Sequence, residues 1–522
     1  MRVKSIVEVV FHYAQQQPER PALLFEQQTM SYGQLSGAVE KFADALIEWG
    51  IQPEDRVALF LANSPAFVVA YLGTHLAGGI VVLVNTHYKQ VELHHIMTDA
   101  GVHICVTSWA GSAELQRLTL PALKTLVIED EEIDPRPELL IEALTWADFM
   151  ARGRKGNDIA THQPLAMPAP DAPALLGYTS GTTGRAKGAL LCHRNLTANI
   201  TAVSAAWHWT SKDCLFLVLP LFHAHGLLVG MNGTLFNGAS VILRRQFDAV
   251  DVLATLRNNT HISLFFGVPT MYKRLLGEAE KHGVPPHPLR LFVSGSAPLS
   301  PQIFADFAHV FGQNILERYG MTETIMNLTN PYIGERRAGT VGGPFPGQEA
   351  RVVDTSTRHL LPPGEIGEIE VRGPHVFSGY WQQPDATAEA LSADGWFRTG
   401  DLGWYSDDGY YTITGRAREL IISGGYNIYP REIEDVLEAH PMVAEVAVIG
   451  ASDAEMGEQV VAVIVPKQGE TPTAAEIIAF CREQIASYKK PRKVVFVAEL
   501  PRNALGKVQK HLLAAQLHSS SS

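Results

Sequence analysis

The pattern of apolar and polar positions changes character three times along the chain. From Met1 to about Asp171, stretches with apolar residues at helical spacing (Ser36 to Trp49, Ala66 to Ala77) alternate with short β-rich runs (Arg56 to Leu61, Gly79 to Val84, Val102 to Thr107, Thr125 to Ile128). Helix and strand in alternation predict βαβ units and a mostly parallel sheet. The polar, proline-rich stretch Arg152 to Pro173 reads as a connection. A second α/β series follows, with strands predicted at Leu215 to Leu219, Ser240 to Leu243, Ser263 to Phe266 and Leu291 to Val293, and a helix near Val250 to Arg257. From Gln348 the runs EARVVD, GEIEVRG and GYYTITG are short alternating strands separated by Pro-Gly and Asp-Gly turns, which predicts a small β-rich subdomain. After Arg416 another α/β unit is expected: helix Pro430 to His440, strands Val443 to Ile449 and Gln459 to Pro466, helix Ala474 to Ala486, strand Lys493 to Val497. The predicted class is α/β. A large multi-subdomain N-terminal domain, residues 1–418, holds two doubly wound α/β sheets and the β-rich subdomain; a small mobile α/β domain, residues 419–522, follows.

Length supports this division, because 522 residues exceed what one compact core accommodates. At 46% hydrophobic and 18% charged, the composition is that of a globular protein. A net charge of −12 argues against a general nucleic-acid binder, yet leaves room for a local basic pocket. Cys105, Cys192, Cys214 and Cys481 are far apart with no C-x-x-C pair, which suits reduced thiols in a cytoplasmic enzyme. The N-terminus carries Ile6, Val9, Val10 and Tyr13 at helical spacing, then a Pro-Glu-Arg-Pro stop; it lacks the unbroken apolar centre of a signal peptide. Pro220, His223, His225 and Asn232 interrupt the longest apolar stretch, Cys214 to Phe236, so a buried strand plus helix is predicted there and no stable membrane association.

The stretch richest in chemistry is Tyr178 to Gly188, YTSGTTGRAKG, directly after the apolar run Ala174 to Leu176. Gly181, Gly184 and Gly188 let backbone N–H groups approach an anion closely. Thr179, Ser180, Thr182 and Thr183 offer hydroxyls to phosphate oxygens or a bound metal, and Lys187 offsets charge. The spacing G-x-x-G-x-x-K is not that of the nucleotide-hydrolase P-loop. Downstream, LPLFHAHG places two histidines two apart after a strand, and SGSAPL should form a tight strand-to-helix turn with free N–H groups. In ERYGMTET, Tyr319 can cover a purine face, Thr322 can reach an α-phosphate, and Glu323 is a hard oxygen ligand suited to Mg2+. Asp401 in FRTGD could accept both ribose hydroxyls through two free oxygens, with Arg416 adding a second contact.

The order Tyr-Thr-Ser-Gly-Thr-Thr-Gly-x-x-Lys-Gly, with ERYGMTET downstream at the same interval, resembles the acyl-adenylate-forming enzymes. The chain is similar in particular to their malonyl-CoA synthetase branch, through LPLFHAHG, FGVPTMYKRLL, SGSAPL and ERYGMTETIMNLTNPYIGERRAGTVG. The resemblance implies an AMP-forming acid–thiol ligase that takes ATP, Mg2+, coenzyme A and a small carboxylic acid, working as a monomer or homodimer. It assigns Ser180, Gly181, Gly184, Ser296, Ala297, Gly320 and Met321, with the residues above, to ATP, and Glu323 and Thr182 to the metal. His223, Ser294 and Gly295 would border the acyl pocket, and His223 would change rotamer between half-reactions. Ser423, Gly424, Gly425 and Tyr426 would pass the pantetheine arm. Lys507 in LPRNALGK matches the catalytic lysine of the family. Glu419 stands at the hinge, where relatives carry Asp or Lys, and Arg418 replaces the usual Lys. A second carboxylate on the acid would need a cation; Arg244 and Arg245 are the candidates, with Met326 setting pocket depth. Two other readings stay open: a medium- or long-chain fatty acyl-CoA synthetase with an apolar tunnel, and an adenylating protein that loads a carrier-protein thiol.

Overall fold

The computed structural model describes residues 5–130, 141–152, 165–179, 185–423, 426–453, 456–503 and 507–519. Local signals set where its elements start. Ser31 and Gln34 close a capping box that begins helix Tyr32–Glu48 ahead of the apolar spacing, and Ser64 with Pro65 begins helix Pro65–Leu76. Strands Arg56–Phe60, Ile80–Leu83, Ile104–Thr107 and Thr125–Ile128 pair in parallel, as their apolar runs predict. Pro173–Thr179 continues this sheet in parallel beside Ile80–Leu83, and Lys187–Cys192 adds to it antiparallel.

Among the described residues, two sheets form the large part of the molecule, one of eight strands and one of nine. Strands Cys214–Leu217, Ser240–Leu243, Leu264–Gly267, Leu291–Ser294 and Leu316–Tyr319 make the parallel centre of the second. Alternate residues of both sheets point into one shared interior with helices Tyr32–Glu48, Pro65–Leu76 and His193–Ala206. The opposite faces are covered separately, the first sheet by Gln90–Asp99 and the second by Pro269–His282 and Pro301–Phe311. Being buried on both faces, the strands read as continuous apolar runs rather than alternating ones.

Membership of the sheets does not follow chain order. The hairpin Pro21–Phe25 and Gln28–Ser31 joins the second sheet, with Leu23 in register with Val241. Tyr32 secures that edge by donating its hydroxyl to the carbonyl of Ala239 at 2.7 Å. In the other direction, Gly379–Tyr380 returns to the first sheet beside Leu190 and Ala189. The β-rich subdomain is a four-stranded antiparallel sheet that includes Phe397–Tyr405, a strand the apolar pattern did not announce. The C-terminal unit pairs Val443–Asp453 with Gly457–Pro466 and has its own apolar core around Ile433, Leu437 and Val448. The stretch Cys214 to Phe236 forms a strand, a π-helical turn His225–Met231 and helix Asn232–Phe236. No described helix is long and apolar enough to cross a membrane. All four cysteines are free and buried.

Several histidines are sealed in this interior. Burial pulls His193 and His223 down to about 4 and His375 to about 3, and holds His75 and His225 well below the ordinary imidazole value. An unfolded chain protonates these rings near pH 6.5, whereas the folded chain resists until about pH 4. Between those limits the unfolded state binds more protons, so stability is fully present above about pH 6.5 and is lost as pH falls. The urea midpoint should stay level from pH 8 to 7 and drop steadily from 6.5 to 5; a midpoint unchanged down to pH 5 would mean the rings titrate freely in the folded protein.

Candidate active site

Strands Pro173–Thr179 and Lys187–Cys192 form a hairpin in which Tyr178 faces Gly188 and Thr179 faces Lys187. Thr179 and Lys187 thus stand at the mouth of the glycine-rich loop; Ser180, Gly181, Thr182, Thr183 and Gly184 lie outside the described residues. The segment ERYGMTET is packed against this hairpin at Gly177 and folds tightly on itself at Gly320. A Cβ on Gly177 would lie 2.4 Å from Thr322 Cγ2, and one on Gly320 would lie 2.0 Å from the carbonyl oxygen of Ile325. Only glycine fits either place. The turn that follows holds Ile325 at φ +61°, a left-handed conformation costly for a β-branched residue and typical of functional turns.

Glu323 is delivered by that turn, and it is 4% exposed. Its Oε1 accepts hydrogen bonds from Thr179 Oγ1 and from the Tyr380 hydroxyl, both at 3.1 Å. The Lys187 ammonium stands 5.3 Å from the centre of the Tyr380 ring. Burial and the adjacent Glu323 raise the Tyr380 pKa, which keeps the phenol a neutral donor. Sequence reasoning missed Tyr380, whose two-residue strand pairs with a partner far away in the chain.

Asp401 is also buried, at 4% exposure, on strand Phe397–Tyr405. Its Oδ1 is 2.6 Å from Arg416 Nε, and its Oδ2 accepts the hydroxyl of Tyr319. This differs from the expectation of two free oxygens: each oxygen already holds one protein donor and retains a single further lone pair. The pairing explains itself, because a carboxylate this deep would be costly without partners. Asp401 in turn raises the pKa of Arg416. Tyr319 is tethered by its hydroxyl, which also lies 3.7 Å from Met321 Sδ.

The C-terminal unit reaches the same place. Lys507 is exposed to solvent, yet the surrounding protein and Arg416 lower its ammonium pKa, against the opposing pull of Asp401 and Glu419. Glu419 ends a short 3-10 turn and lies 3.5 Å from the ammonium of Lys510, which also reaches Glu434 at 2.7 Å. Ser423 is buried in strand Ile421–Ser423, and Tyr426 is exposed and stacks on Tyr488 at 4.5 Å; Gly424 and Gly425 lie outside the described residues.

On the other side of ERYGMTET, a third group of polar side chains gathers. His225 Nδ1 and Ser296 Oγ are 3.3 Å apart, and Ser296, beside the half-buried Ala297, holds φ +69°. The π-helical turn packs tightly, since a Cβ on Gly226 would lie 2.3 Å from the carbonyl oxygen of Pro220. Arg318, 3% exposed, lies against Gly295: a Cβ there would be 2.4 Å from the guanidinium carbon. Its Nε and Nη2 have no partner among the described residues, and neither do Ser294 Oγ, His223 Nε2 and His225 Nε2. Burial draws Arg318 down to about 9, still a cation at neutral pH, while the neighbouring histidines are neutral. Met326 is buried in the shared core with its carbonyl held by Asn199 at 2.8 Å.

Arg244 and Arg245 take other partners. Arg244 Nε binds Asp251 at 3.0 Å and its Nη2 reaches Thr255, so the helix Ala249–Asn258 claims it. Arg245 pairs with Glu26 at 3.1 Å, and both side chains are more than half exposed. Strand-end arginines gain such partners on the surface, whereas Arg318 is buried with two nitrogens unpartnered among the described residues.

Comparison with known proteins agrees with this geometry. The family model described as AMP-binding enzyme matches residues 10–381, and that described as AMP-binding enzyme C-terminal domain matches residues 432–507. A long-chain-fatty-acid–CoA ligase of Bacillus subtilis is 34% identical, over 98% of this chain and 94% of its own. A mitochondrial malonate–CoA ligase of Mus musculus is 34% identical over 90% of this chain and 82% of its own. Among solved structures, ATP-bound MatB from Rhodopseudomonas palustris superposes with a TM-score of 0.88 at 36% identity, covering 99% of this chain and 100% of that one. With its two-sheet large part, its separate C-terminal unit and Glu323, Asp401 and Lys507 on converging segments, the chain belongs to the AMP-binding enzyme family, as an AMP-forming acyl-CoA ligase similar to the malonate–CoA ligases.

Proposed function

We propose that this enzyme joins malonate, or a small substituted malonate, to coenzyme A. The observation that carries this reading is Arg318. A buried guanidinium beside Gly295 with two nitrogens unpartnered among the described residues is less favourable than a solvated one, and an anionic substrate would compensate it. A carboxylate fits its fork in a bidentate manner. A fatty acid tunnel would have no use for a cation at that depth, which counts against the long-chain reading despite the Bacillus subtilis relative.

In the first half-reaction, a carboxylate oxygen of the acid forms a bond to the α-phosphorus of ATP while the bond to pyrophosphate breaks. Three anionic groups meet there, so charge must be offset. Thr179 and Lys187 at the loop mouth and the ammonium of Lys507 supply that, with the loop hydroxyls between them. Glu323, a buried hard oxygen donor oriented by two hydroxyls, fits Mg2+, with Thr182 as a second donor. When bound, the ion would neutralise phosphate charge. Asp401 and Arg416 would take the ribose, Tyr319, Gly320, Met321, Ser296 and Ala297 the adenine, and Thr322 the α-phosphate. His223, Ser294, Gly295 and Met326 would enclose the acyl group.

In the second half-reaction, the thiol sulfur bonds to the acyl carbon, its proton is released, and the carbon–oxygen bond to AMP breaks. The thiol would have to come from the side that Lys507 holds during the first step. We therefore propose a division at residues 1–418 and 419–522, with rotation about Glu419 withdrawing Lys507 and presenting the Ser423 to Tyr426 turn to the pantetheine arm. The gap between the two family models, from 381 to 432, and the bond from Lys510 to Glu419 support that hinge. Free, buried thiols suit a reducing, cytoplasmic setting.

Three measurements test these readings. Lys507→Ala should lower pyrophosphate exchange about 100- to 1,000-fold, the scale of one lost electrostatic donor, while sparing thioester formation from supplied acyl-adenylate; equal loss in both steps would refute the division of labour. Arg318→Ala should cost malonate turnover about 10- to 150-fold, the value of a charged hydrogen bond, with little change for a monocarboxylate of the same length. Release of AMP across an acid panel, with and without CoA, decides the substrate: wild-type enzyme that is inert on malonate but active on a fatty or aryl acid sinks the proposal.

A further inference from the structure

The stems of the glycine-rich hairpin are gripped from outside the site by one helix. Helix Gln90–Asp99 buries Leu93, Ile96 and Met97 against the first sheet and leaves His95 and Asp99, one turn apart, half-buried on a shared flank. Asp99 Oδ2 accepts the hydroxyl of Tyr178 at 2.6 Å, on the strand entering the loop. His95 Nε2 lies 2.8 Å from the carbonyl oxygen of Ala186, on the segment leaving it. A carbonyl only accepts, so Nε2 carries the proton. The His95 ring also meets the Tyr178 ring edge to face at 6.2 Å.

We propose that His95 and Asp99 are positioning residues for phosphate binding: they fix the two stems of the hairpin so that Thr179 and Lys187 face the polyphosphate at a set separation. The helix is itself anchored for the task. Arg56 donates to the carbonyls of Ala100 and Gly101 at its C-terminal end, and Trp381 Nε1 donates to the carbonyl of Asp99 at 3.2 Å. Trp381 follows Tyr380, so the same connection that holds Glu323 also braces the helix that holds the loop. Neither His95 nor Asp99 touches the reacting atoms. Their effect passes through backbone and hydroxyl of the hairpin, and it rests on the reading of residues 178–188 as the phosphate loop.

The test is ATP–pyrophosphate exchange on the full-length enzyme, with KM measured separately for Mg2+–ATP and for the acid, and thermal unfolding followed in parallel. His95→Ala should raise the KM for ATP about 3- to 10-fold, the scale of one net hydrogen bond, with the acid KM unchanged. His95→Gln, whose amide N–H can still reach the Ala186 carbonyl, should restore most of the loss. An unchanged ATP KM, an equal rise in both KM values, or no rescue by glutamine overturns the proposal. Should His95→Ala fail to fold, Tyr178→Phe removes only the hydroxyl held by Asp99 and must raise the ATP KM in the same way; no rise overturns it. Lys187→Ala separates the two ideas: if it leaves the ATP KM unaltered, the phosphate-loop reading itself fails, whereas a rise there without one in His95→Ala removes the positioning role alone.

Discussion

A carboxylate taken out of water has to be held by donors, and Glu323 finds them on two distant segments, Thr179 and Tyr380. That requirement ties the entry of the glycine-rich loop, the ERYGMTET turn and the returning strand Gly379–Tyr380 into one unit. The close packing at Gly177 and Gly320 follows from it, since the turn can present Glu323 to Thr179 only if both positions lack side chains. The second sheet thereby hands its acidic residue to the first. What looks like an interface between two subdomains is the place where each supplies what the other lacks.

Buried charge is treated in two ways in this molecule, and the contrast separates scaffold from site. Glu370, 2% exposed, is surrounded by Arg351 and Arg358 and is fully spoken for. Asp401 is nearly so, through Arg416 and Tyr319, but keeps a lone pair on each oxygen. Arg318 stands at the other extreme, with two nitrogens unmatched among the described residues. A fully paired ion contributes to holding strands together; an unmatched one stores unfavourable desolvation that a ligand of opposite sign relieves. The gradient from Glu370 through Asp401 to Arg318 leads from the β-rich subdomain to the strand Leu316–Tyr319 of the second sheet.

Most strands and helices were legible because apolar runs and caps are local signals, and Arg56–Phe60, Thr125–Ile128 and Val443–Asp453 are found where the pattern predicts them. Pairings across hundreds of residues were not: nothing near Leu23 announces that its neighbour is Val241. The chemical motifs were legible as residue types at fixed spacing, whereas Tyr380 was hidden in a two-residue strand and Arg318 inside a motif read for its tyrosine, threonine and glutamate. A signal for Arg318 did exist. Leu316, Glu317 and Arg318 lie in succession on a strand buried on both faces, where any ionic side chain demands a partner. Arg244 and Arg245 follow the C-terminal end of a parallel strand, where ligands often gather, and the local pattern did not announce that Asp251 and Glu26 pair with them.

The edge hairpin Pro21–Ser31 has a consequence for biosynthesis. Its parallel neighbour, Ser240–Leu243, leaves the ribosome more than two hundred residues later, so the first strands made must wait with one hydrogen-bonding edge open while most of the first sheet emerges between them. Nascent chains of this enzyme are thus committed to a long exposure of sticky β-structure. A chain truncated anywhere before residue 240 lacks the strand that this hairpin pairs with in the folded protein, so its edge stays open.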